Sequence, residues 1–592
     1  MARVTQVIVE VLGKVNVGAR VSQYSVEVVQ QQTPLPARLS QYIVEVVRAA
    51  KILLTFTPTL TLDGRLFITV TQTPFEQFLN EEISKKIYLV ELTLHYATGG
   101  AVSTEILYLS NHSFNTTPTE TPPNTEYIAV LTDEGIPSFE QQLNEIQFGT
   151  TLPSFGQLQI LNADGQFDTK LPPDREWEGG QITIRLTGDR CELDLSDSVI
   201  ILTAVMGKVT HTDNTISVEV LSRHEGLRNR KMPTETFTGV DGIEEILSPT
   251  LYGYGQNLTP ILKDDVSLIY KISSHELEDI TAVYDDGVSV SYVKDLPSGE
   301  FQLVTNPAGL ITCDAKGKKV NGGSFSANRA YFIYDALITY GGILSSEISN
   351  AALNTFATEV TGDSGFYVNS ETSVLDFIDT LLYPVMGYLY FDRSGTAILG
   401  TFKLPTEGGV EKLSLDGSQL IPLGLPQEDQ GAAGDVLETR SAELLIQKVT
   451  ILYSQNLTVQ DASSLGAASP VDPDTAAGRI RIEFLSKEWR RLETTLSGAD
   501  EGRNLYPTAG DSDEIASYFI NEADASVWAD RWLEVFGVSR RIVRSRPKVQ
   551  PLSMTLHDIL RMNYRWYDDT PMRVTKFVEM YGDAVIEVEG FL

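Results

Sequence analysis

The stretch that decides the fold is GQLQILNADGQFDTKLPPDREWEGGQITIRLTGD, residues Gly156–Asp189. It begins with alternating apolar and polar residues, passes through Asn162-Ala163-Asp164-Gly165 and ends in a second alternating run, QITIRLT. Alternation with a period of two is typical of half-buried β-strands, and Asp-Gly after such a run is typical of a turn. VIILTAVMGKVTHTDNTISVEVLS, from Val199, continues the pattern. Short strands with turns about every 8–12 residues predict an antiparallel barrel or sandwich.

The sequence on the N-terminal side of this stretch also predicts strands. YLVELTLHY from Tyr88, then STEILYLS and YIAVLTDEG, are rich in β-branched and aromatic residues. Further upstream, Ile52–Thr73 alternates apolar residues with threonine around Leu62-Asp63-Gly64. An Asp-Gly pair between alternating runs predicts a β-hairpin.

Three copies of one motif open the chain: ARVTQVIVEVL from Ala2, ARVSQYSVEVV from Ala19 and ARLSQYIVEVV from Ala37. Each copy predicts a strand whose two faces are both half apolar, so fifty such residues bury themselves poorly alone. We expect the strands to add to a sheet of another chain; the alternative is a small meander packed on the body. The candidate interaction residues occupy equivalent positions and are Arg3, Gln6, Arg20, Gln23, Arg38 and Gln41.

Beyond residue 230 the sequence predicts helices among the strands. The predicted helices are Asn328–Leu344, Thr372–Leu382 with Ser370 and Thr372 as candidate N-caps, and the amphipathic Glu514–Phe536. We also expect a hairpin around Asp392-Arg393-Ser394-Gly395, a turn at Tyr252–Gly255 (YGYG) and an exposed loop at Ala462–Gly478.

Charge and cysteine content exclude several classes of protein. The 592 residues contain 46 Lys and Arg against 79 Asp and Glu, so nonspecific binding of nucleic acid is disfavoured. Residues 1–50 carry a net charge of +2, which leaves –35 for the remainder. With Cys191 and Cys313 alone, a disulfide framework is excluded; we expect two buried free thiols, and one bridge between them stays open. We find no signal peptide and no apolar run of about 18 residues, so we expect a soluble product without a membrane span.

A search for catalytic motifs gives no site. No HExxH, GxSxG or P-loop pattern occurs, and the six histidines lack metal-ligand spacing. Asp164, Asp168 and Asp174 lack the Gly and Glu of a calcium loop, so we interpret them as turn residues. Arg540–Lys548 holds five basic residues, for which we expect solvation or salt bridges between chains, with DNA contact as the alternative. We therefore predict that the protein is not an enzyme and has no cofactor or metal.

The stretch from Gly156 resembles a pattern in hub proteins of long-tailed phages and their relatives in gene transfer agents. In that pattern a strand ends in Asn-x-Asp-Gly. A loop and a Trp-x-Gly-Gly/Arg motif follow, and then a strand that carries Val/Ile-x-Ile/Val-x-Leu. The matching residues here are Asn162, Asp164, Gly165, Trp177, Gly179 and Gly180. NTEYIAVLTDEGIPSFEQQL and ITAVYDDGVSVSYVKDLPSGEFQLVTNPAGLITCDAKG are similar to the same family, so the resemblance covers about residues 88–592. The N-terminal ARVSQ-type copies resemble repeats appended to various virion proteins.

The resemblance implies a mainly β protein with α+β insertions and two tube-type antiparallel β-barrels. The domains we expect are three β-strand repeats at 1–50, a hairpin linker at 51–87, a first barrel at 88–230, an α+β insertion domain at 231–430 and a second barrel with a helix at 431–592.

The resemblance also implies a function: a homotrimeric baseplate hub in the virion tail tip, assembled in the bacterial cytoplasm. Three chains with two barrels each would match a hexameric tail tube, or a distal tail protein, to threefold tip or fibre proteins. DNA would pass the channel without specific binding, and we expect an acidic lumen to prevent binding. The alternatives are a receptor-binding or a polysaccharide-degrading tail protein, and a capsid protein is disfavoured by the two-barrel pattern.

Overall fold

The computed structural model of the chain describes four short strands near the N-terminus and most of residues 86–592. The described residues are 9–10, 24–28, 55–60, 66–71 and 86–592, without 99, 144–148, 152–154, 189–193, 238–244, 410, 417–419, 422–435, 441–444, 497–508, 548–553, 566, 581–584 and 592. The chain divides into two compact units. Met1–Ile136 and Gln157–Glu219 form the first, and Pro137–Gly156 and Val220–Leu592 form the second. The boundaries of the five domains expected from the sequence stay predictions.

The first unit is built from strands. In chain order they begin with β1 Val9–Glu10, β2 Tyr24–Val28, β3 Thr55–Leu60, β4 Leu66–Thr71, β5 Ile87–Thr98, β6 Ala101–Ser110, β7 Phe114–Asn115 and β8 Glu126–Ala129. Two strands of the second unit come next, β9 Phe139–Gln142 and β10 Gly149–Thr150. The chain then returns to the first unit with β11 Gln157–Leu161, β12 Gln181–Thr187, β13 Val199–His211 and β14 Thr215–Leu221.

A sheet of the first unit curls into a partly closed barrel. Its strands are hydrogen-bonded in the order β11-β14-β13-β12-β5-β6-β8-β7. The segment after β8 bonds back to β11, because Leu131 bridges Ile160 and the Leu161 N–H donates to the Val130 carbonyl over 2.8 Å. Alternating residues of the strands point inward, and Leu158, Ile182 and Ile184 are fully buried. These contacts cover part of the edge that a flat sheet would expose.

The Asn-x-Asp-Gly turn is a structural part of this barrel. The Asn162 side chain accepts from the Phe167 N–H at 3.0 Å and donates to Asp168 at 2.9 Å. Asp164 accepts from the Gln166 N–H at 3.3 Å, and Gly165 has a φ of +70°, which favours glycine. The acidic residues at 164 and 168 therefore serve the turn, as the sequence predicts.

The Trp-x-Gly-Gly loop is equally structural. Trp177 is fully buried, and its Nε1 donates to the Lys170 carbonyl over 2.6 Å. A Cβ atom at Gly180 would lie 2.0 Å from the Thr93 carbonyl oxygen, so no larger residue fits between the loop and β5. Gly179 has a φ of +81°.

A separate sheet in the first unit has the strand order β1-β2-β4-β3. Strands β3 and β4 pair antiparallel from Thr55↔Thr71 to Leu60↔Leu66, which confirms the hairpin around Asp63-Gly64. The first two motif copies contribute β1 and β2, which pair with each other, and β2 also pairs with β4. These two copies thus form a sheet within their own chain, whereas the third copy lies outside the described residues.

The second unit mixes strands and helices. Its further strands are β15 Lys231–Met232, β16 Thr250–Leu258, β17 Ile261–Asp264, β18 Ile269–Lys271, β19 Leu277–Asp285, β20 Val288–Ser289, β21 Tyr292–Asp295, β22 Glu300–Leu303, β23 Ile311–Lys318, β24 Gly365–Val368, β25 Thr372–Ser373, β26 Gly387–Phe391, β27 Ala397–Thr401, β28 Glu411–Asp416, β29 Leu420–Ile421, β30 Val436–Arg440, β31 Ile446–Tyr453, β32 Arg490–Thr495, β33 Gly510–Ala516, β34 Arg541–Pro547, β35 Ile559–Asn563, β36 Thr570–Met580 and β37 Val585–Phe591. Its helices are α1 Arg223–Asn229, α2 Arg329–Thr339, α3 Asn350–Glu359, α4 Val374–Leu382, α5 Ala476–Leu485 and α6 Glu522–Phe536.

Two sheets of the second unit share one apolar core. Their strand orders are β20-β19-β23-β16-β24 and β17-β18-β22-β21. The core contains Leu251, Ile280, Phe301 and Cys313, all almost fully buried. Cys313 is a buried free thiol, and burial raises the pKa of that thiol; Cys191 lies outside the described residues.

The Tyr252–Gly255 stretch is a strand and not the turn that the sequence predicts. It lies inside β16, at the point where pairing changes from β24 to β23. Gly253 has a φ of +61°, and a Cβ there would lie 1.9 Å from the Ser364 carbonyl oxygen. The glycine thus permits two backbones to approach closely within a sheet.

The helices agree in part with their predicted bounds. Asn328 caps α2 by accepting from the Ala330 N–H at 2.9 Å, as its place at the start of the pattern indicates. The cap of α4 is Ser373, which accepts from the Asp376 N–H at 3.0 Å, so Ser370 and Thr372 are not the cap. The predicted loop at Ala462–Gly478 runs into α5, which the sequence analysis missed.

A C-terminal sheet has the order β28-β35-β36-β37-β34-β29, with β30 also on β34 and β9 also on β36. Among the described residues, no strand pairing joins β28 to β29 or β30, so this sheet is open there. The segment 446–516 instead forms a three-stranded sheet, β32-β31-β33, on which α6 packs. The predicted helix Glu514–Phe536 is therefore too long, because Glu514 and Ile515 pair with β31 in β33.

Candidate assembly interface

The hairpin β5–β6 extends beyond the strands beside it. It is paired continuously from Leu89↔Ser110 to Thr98↔Ala101. Strand β12 pairs with β5 only as far as Leu92, and β8 pairs with β6 only at Leu109 and Ser110. The distal part, six residues per strand, is about 20 Å long at ~3.4 Å per residue.

Contacts at its base hold the extension in place. His95 and Glu176 exchange backbone hydrogen bonds of 2.8 and 2.7 Å. Glu105 forms ion pairs with Lys170 and, at 2.9 Å, with the Arg175 Nε. The hydrogen bond from Lys170 lowers the pKa of the Glu105 carboxyl, so the carboxylate is charged at neutral pH. The Arg175 guanidinium also lies 4.1 Å from the centre of the Tyr96 ring. The extension is thus fixed to the loop that carries the Trp-x-Gly-Gly motif.

One side of the extension is exposed and carries no Asp, Glu, Lys or Arg. Cross-strand pairs place six residues on this side, which we call the hairpin face: Thr93, His95, Ala97, Val102, Thr104 and Ile106. Val102 is 77% exposed and Ile106 is 44% exposed. In a chain with a net charge of –33, an uncharged face with exposed apolar side chains is a candidate for burial against another chain.

The backbone beside the hairpin face can also bond. Among the described residues, no strand pairs with the outer edge of β6 before Leu109. An exposed edge of this kind accepts a further strand by β-augmentation. The extension therefore offers backbone hydrogen bonds at its edge and apolar area on its face.

The six interaction residues expected from the sequence stay a prediction. Arg3, Gln6, Arg20, Gln23, Arg38 and Gln41 all lie outside the described residues. The hairpin face itself was missed as a site, although the YLVELTLHY and STEILYLS strands were predicted. The usable signal was the placement of Val102 and Ile106 among threonines on one side of a strand close to its turn.

The basic segment Arg540–Lys548 forms its ion pairs and hydrogen bonds largely within the chain. Arg544 and Arg546 both pair with Glu587, the latter at 3.2 Å, and the Arg540 guanidinium donates to the Glu534 carbonyl at 2.9 Å. Salt bridges to another chain are thus not required for these arginines. Lys548 lies outside the described residues.

Burial shifts the pKa of three histidines in the second unit. It lowers the pKa of His224 to about 4 and that of His275 to about 3, and it lowers the pKa of His557 well below its ordinary value. These rings are neutral at physiological pH. In the part of the chain that the structure describes, no three His, Cys, Asp or Glu side chains are grouped to hold a metal ion. No described helix is both long enough and apolar enough to cross a bilayer.

Comparisons with known proteins give distant structural similarities. No protein-family model matches the chain, and no curated protein matches it. A chain in the virion of a native gene transfer agent particle is similar at 13% identity and a TM-score of 0.37, covering 60% of this chain and 85% of that one. A prophage tail protein from Listeria monocytogenes EGD-e is similar at 7% identity and a TM-score of 0.33, covering 79% and 91%. Both TM-scores are low, so the function proposed below rests on the residues of the chain itself.

Proposed function

We propose that this chain is a structural protein of a bacteriophage tail tip, namely a baseplate hub subunit that assembles as a homotrimer. The observation that supports the proposal is a partly closed barrel with one projecting hairpin, of which one face carries no Asp, Glu, Lys or Arg. Closure leaves a barrel few edges to pair with. In the part of the barrel that the structure describes, the distal edge of β6 stays unpaired beside the hairpin face, so we propose that association occurs there.

The threefold arrangement follows from symmetry matching. A trimer whose chains each supply two barrels presents six similar modules to a hexameric tail tube or distal tail protein. The first-unit barrel is one such module. The C-terminal sheet β28–β37, extended by β9, is our candidate for the second. The opposite side of the ring would meet threefold tip or fibre proteins.

We propose a passive role toward DNA and no catalytic activity. The chain outside residues 1–50 carries a net charge of –35, and Arg544 and Arg546 of β34 are paired with Glu587. A channel lined by carboxylates avoids the counterion-release affinity that several lysine–phosphate contacts would give. Incubation of the purified protein with host cell wall or capsule should release no sugar or peptide fragments.

The direct test is a double substitution on the hairpin face, Val102→Glu with Ile106→Glu. It places two carboxylates where we expect apolar burial, so the variant should fold and yet fail to form the ring. The matched control is Val266→Glu, because Val266 is 88% exposed and lies in the turn between β17 and β18. Native mass spectrometry of chains mixed with tail tube protein, and incorporation into virions by complementation, measure the outcome.

Threefold rings for the wild type and the Val266 variant, with loss of rings for the double variant, support the proposal. If the double variant is incorporated at wild-type levels, the hairpin face is not the interface. A chain that is present in assembled virions as a monomer refutes the hub assignment itself.

A further inference from the structure

A polar cavity lies in the second unit, beside the strands β17, β18 and β22. Its volume is about 230 Å³. Its polar lining includes Glu235, Ser248, Lys263, Lys271, Ser274 and Glu300. The hub function proposed above uses none of these residues.

The lining of the cavity carries two lysines and two glutamates, and both lysines contact the one glutamate that is buried. Glu300 is 6% exposed, and its carboxylate accepts from the Lys263 Nζ at 2.7 Å and the Lys271 Nζ at 3.3 Å. Two ammonium groups thus share one carboxylate. Each ammonium has three N–H donors, and the described contacts of Lys263 use one of them while those of Lys271, which also donates to the Ser298 carbonyl at 2.9 Å, use two. Donors therefore remain available toward the cavity.

Ser248 supplies a further unused donor. It is 3% exposed, it lines the cavity, and its hydroxyl has no hydrogen-bond partner among the described residues. A buried hydroxyl without a partner destabilises a fold, and such groups are uncommon in native proteins. A ligand that accepts a hydrogen bond from Ser248 would remove this cost.

The remaining lining residue with a charge is Glu235, which is exposed and therefore at the mouth of the cavity. Its carboxylate repels an anion there, whereas the buried part attracts one. The donors inside the cavity should therefore strengthen anion binding, and the carboxylate at the mouth should weaken it. Each group can be removed by a separate substitution.

We propose that this cavity binds a small oxyanion, a phosphate or carboxylate group held by Lys263, Lys271 and the Ser248 hydroxyl. The proposal does not depend on the hub function. A group of this kind accepts several hydrogen bonds at once and neutralises the positive charge that Glu300 leaves uncompensated.

The test is titration of the full chain with inorganic phosphate by isothermal calorimetry, at constant ionic strength set with chloride. Ser248→Ala should lower the phosphate affinity about tenfold, the effect of one hydrogen bond to a charged group. The ligand-free variant should melt no lower than the wild type, because the hydroxyl makes no described bond. Glu235→Gln should raise the affinity several-fold. Lys294→Met is the control, because Lys294 pairs with Asp279 and does not line the cavity, and it should leave the affinity unchanged.

A parallel titration with acetate distinguishes the two sources of the oxyanion. Saturable binding of either anion that weakens in Ser248→Ala and strengthens in Glu235→Gln supports the site and identifies which group fits. The proposal is overturned if neither anion binds saturably, or if both substitutions leave the affinity as it is in the wild type.

Discussion

Replacement of Trp177 should destabilise the first unit and leave the stability of the second unit unchanged. The indole is fully buried in the barrel, and its Nε1 donates to the Lys170 carbonyl over 2.6 Å. Trp177→Ala removes a large buried side chain, which costs about 3–5 kcal/mol. Trp177→Phe keeps most of the ring and removes the donor, so the lost hydrogen bond alone costs about 1–3 kcal/mol. Because domains are stable by only about 5–15 kcal/mol, both changes are large for the barrel.

Hydrogen–deuterium exchange is the suitable measurement, since it reports the two units separately. Peptides from β11 and β12 should lose protection strongly in Trp177→Ala and moderately in Trp177→Phe. Peptides from β19 and β23 should exchange as in the wild type. The control is Trp489→Phe, because Trp489 lies in the second unit and its indole donates to the neighbouring Glu488 at 3.2 Å.

Because the side chain of Lys170 also pairs with Glu105, the Trp177→Phe variant should expose the hairpin extension as well. Unchanged protection of β11 and β12 in Trp177→Ala would refute the view that the Trp-x-Gly-Gly loop is a structural part of the barrel.

Three further predictions concern the second unit and the N-terminus. His224 has a folded-state pKa of about 4, below its ordinary value, so its contribution to stability is full above about pH 6.5 and is lost as the pH falls toward 4. His224→Phe should therefore flatten the loss of unfolding free energy between pH 7 and 5 by up to ~1.4 kcal/mol per pH unit, measured by urea denaturation. Glu579→Leu leaves the guanidinium of Arg393 without its fully buried carboxylate partner and should cost about 3–5 kcal/mol by the same assay; a loss below about 1 kcal/mol would contradict this. Deletion of residues 1–50 should leave residues 88–592 folded by circular dichroism and reduce incorporation into virions; unfolding of the body would show that the repeats belong to its core.

Sequence patterns predicted turns, helix caps and strands well where the residues that determine them lie within a few positions of one another. Asp63-Gly64 and the Asp392–Gly395 turn each join two paired antiparallel strands. Asn328 caps its helix because a short polar side chain at that position satisfies an orphan N–H. Alternation from Gly156 onward identified the strands of the barrel.

Features that depend on distant residues were not accessible from the sequence. Glu514 and Ile515 fit a helical pattern, yet pairing with β31 makes them part of a strand. The contacts that close the barrel involve Val130 and Leu131. Both residues lie outside any strand, and the sequence around them does not indicate which residues they pair with. The polar cavity is lined by residues from 235 to 300. The hairpin face is exposed because the neighbouring strands, β12 and β8, do not extend as far as the hairpin does.

Pro137–Gly156 belongs to the second unit but lies, in sequence, between the two parts of the first unit. This arrangement affects the order in which the strands can pair during synthesis. All strands of the first-unit barrel have been made once residue 221 is synthesised. By contrast, β9 pairs with β36, which follows it by more than 400 residues along the chain. At a synthesis rate of about 5–20 residues per second, β36 is made roughly 20–90 s after β9. The barrel can close early around a connector whose two strands are still unpaired, and the second unit is complete only when the last strands of the chain appear.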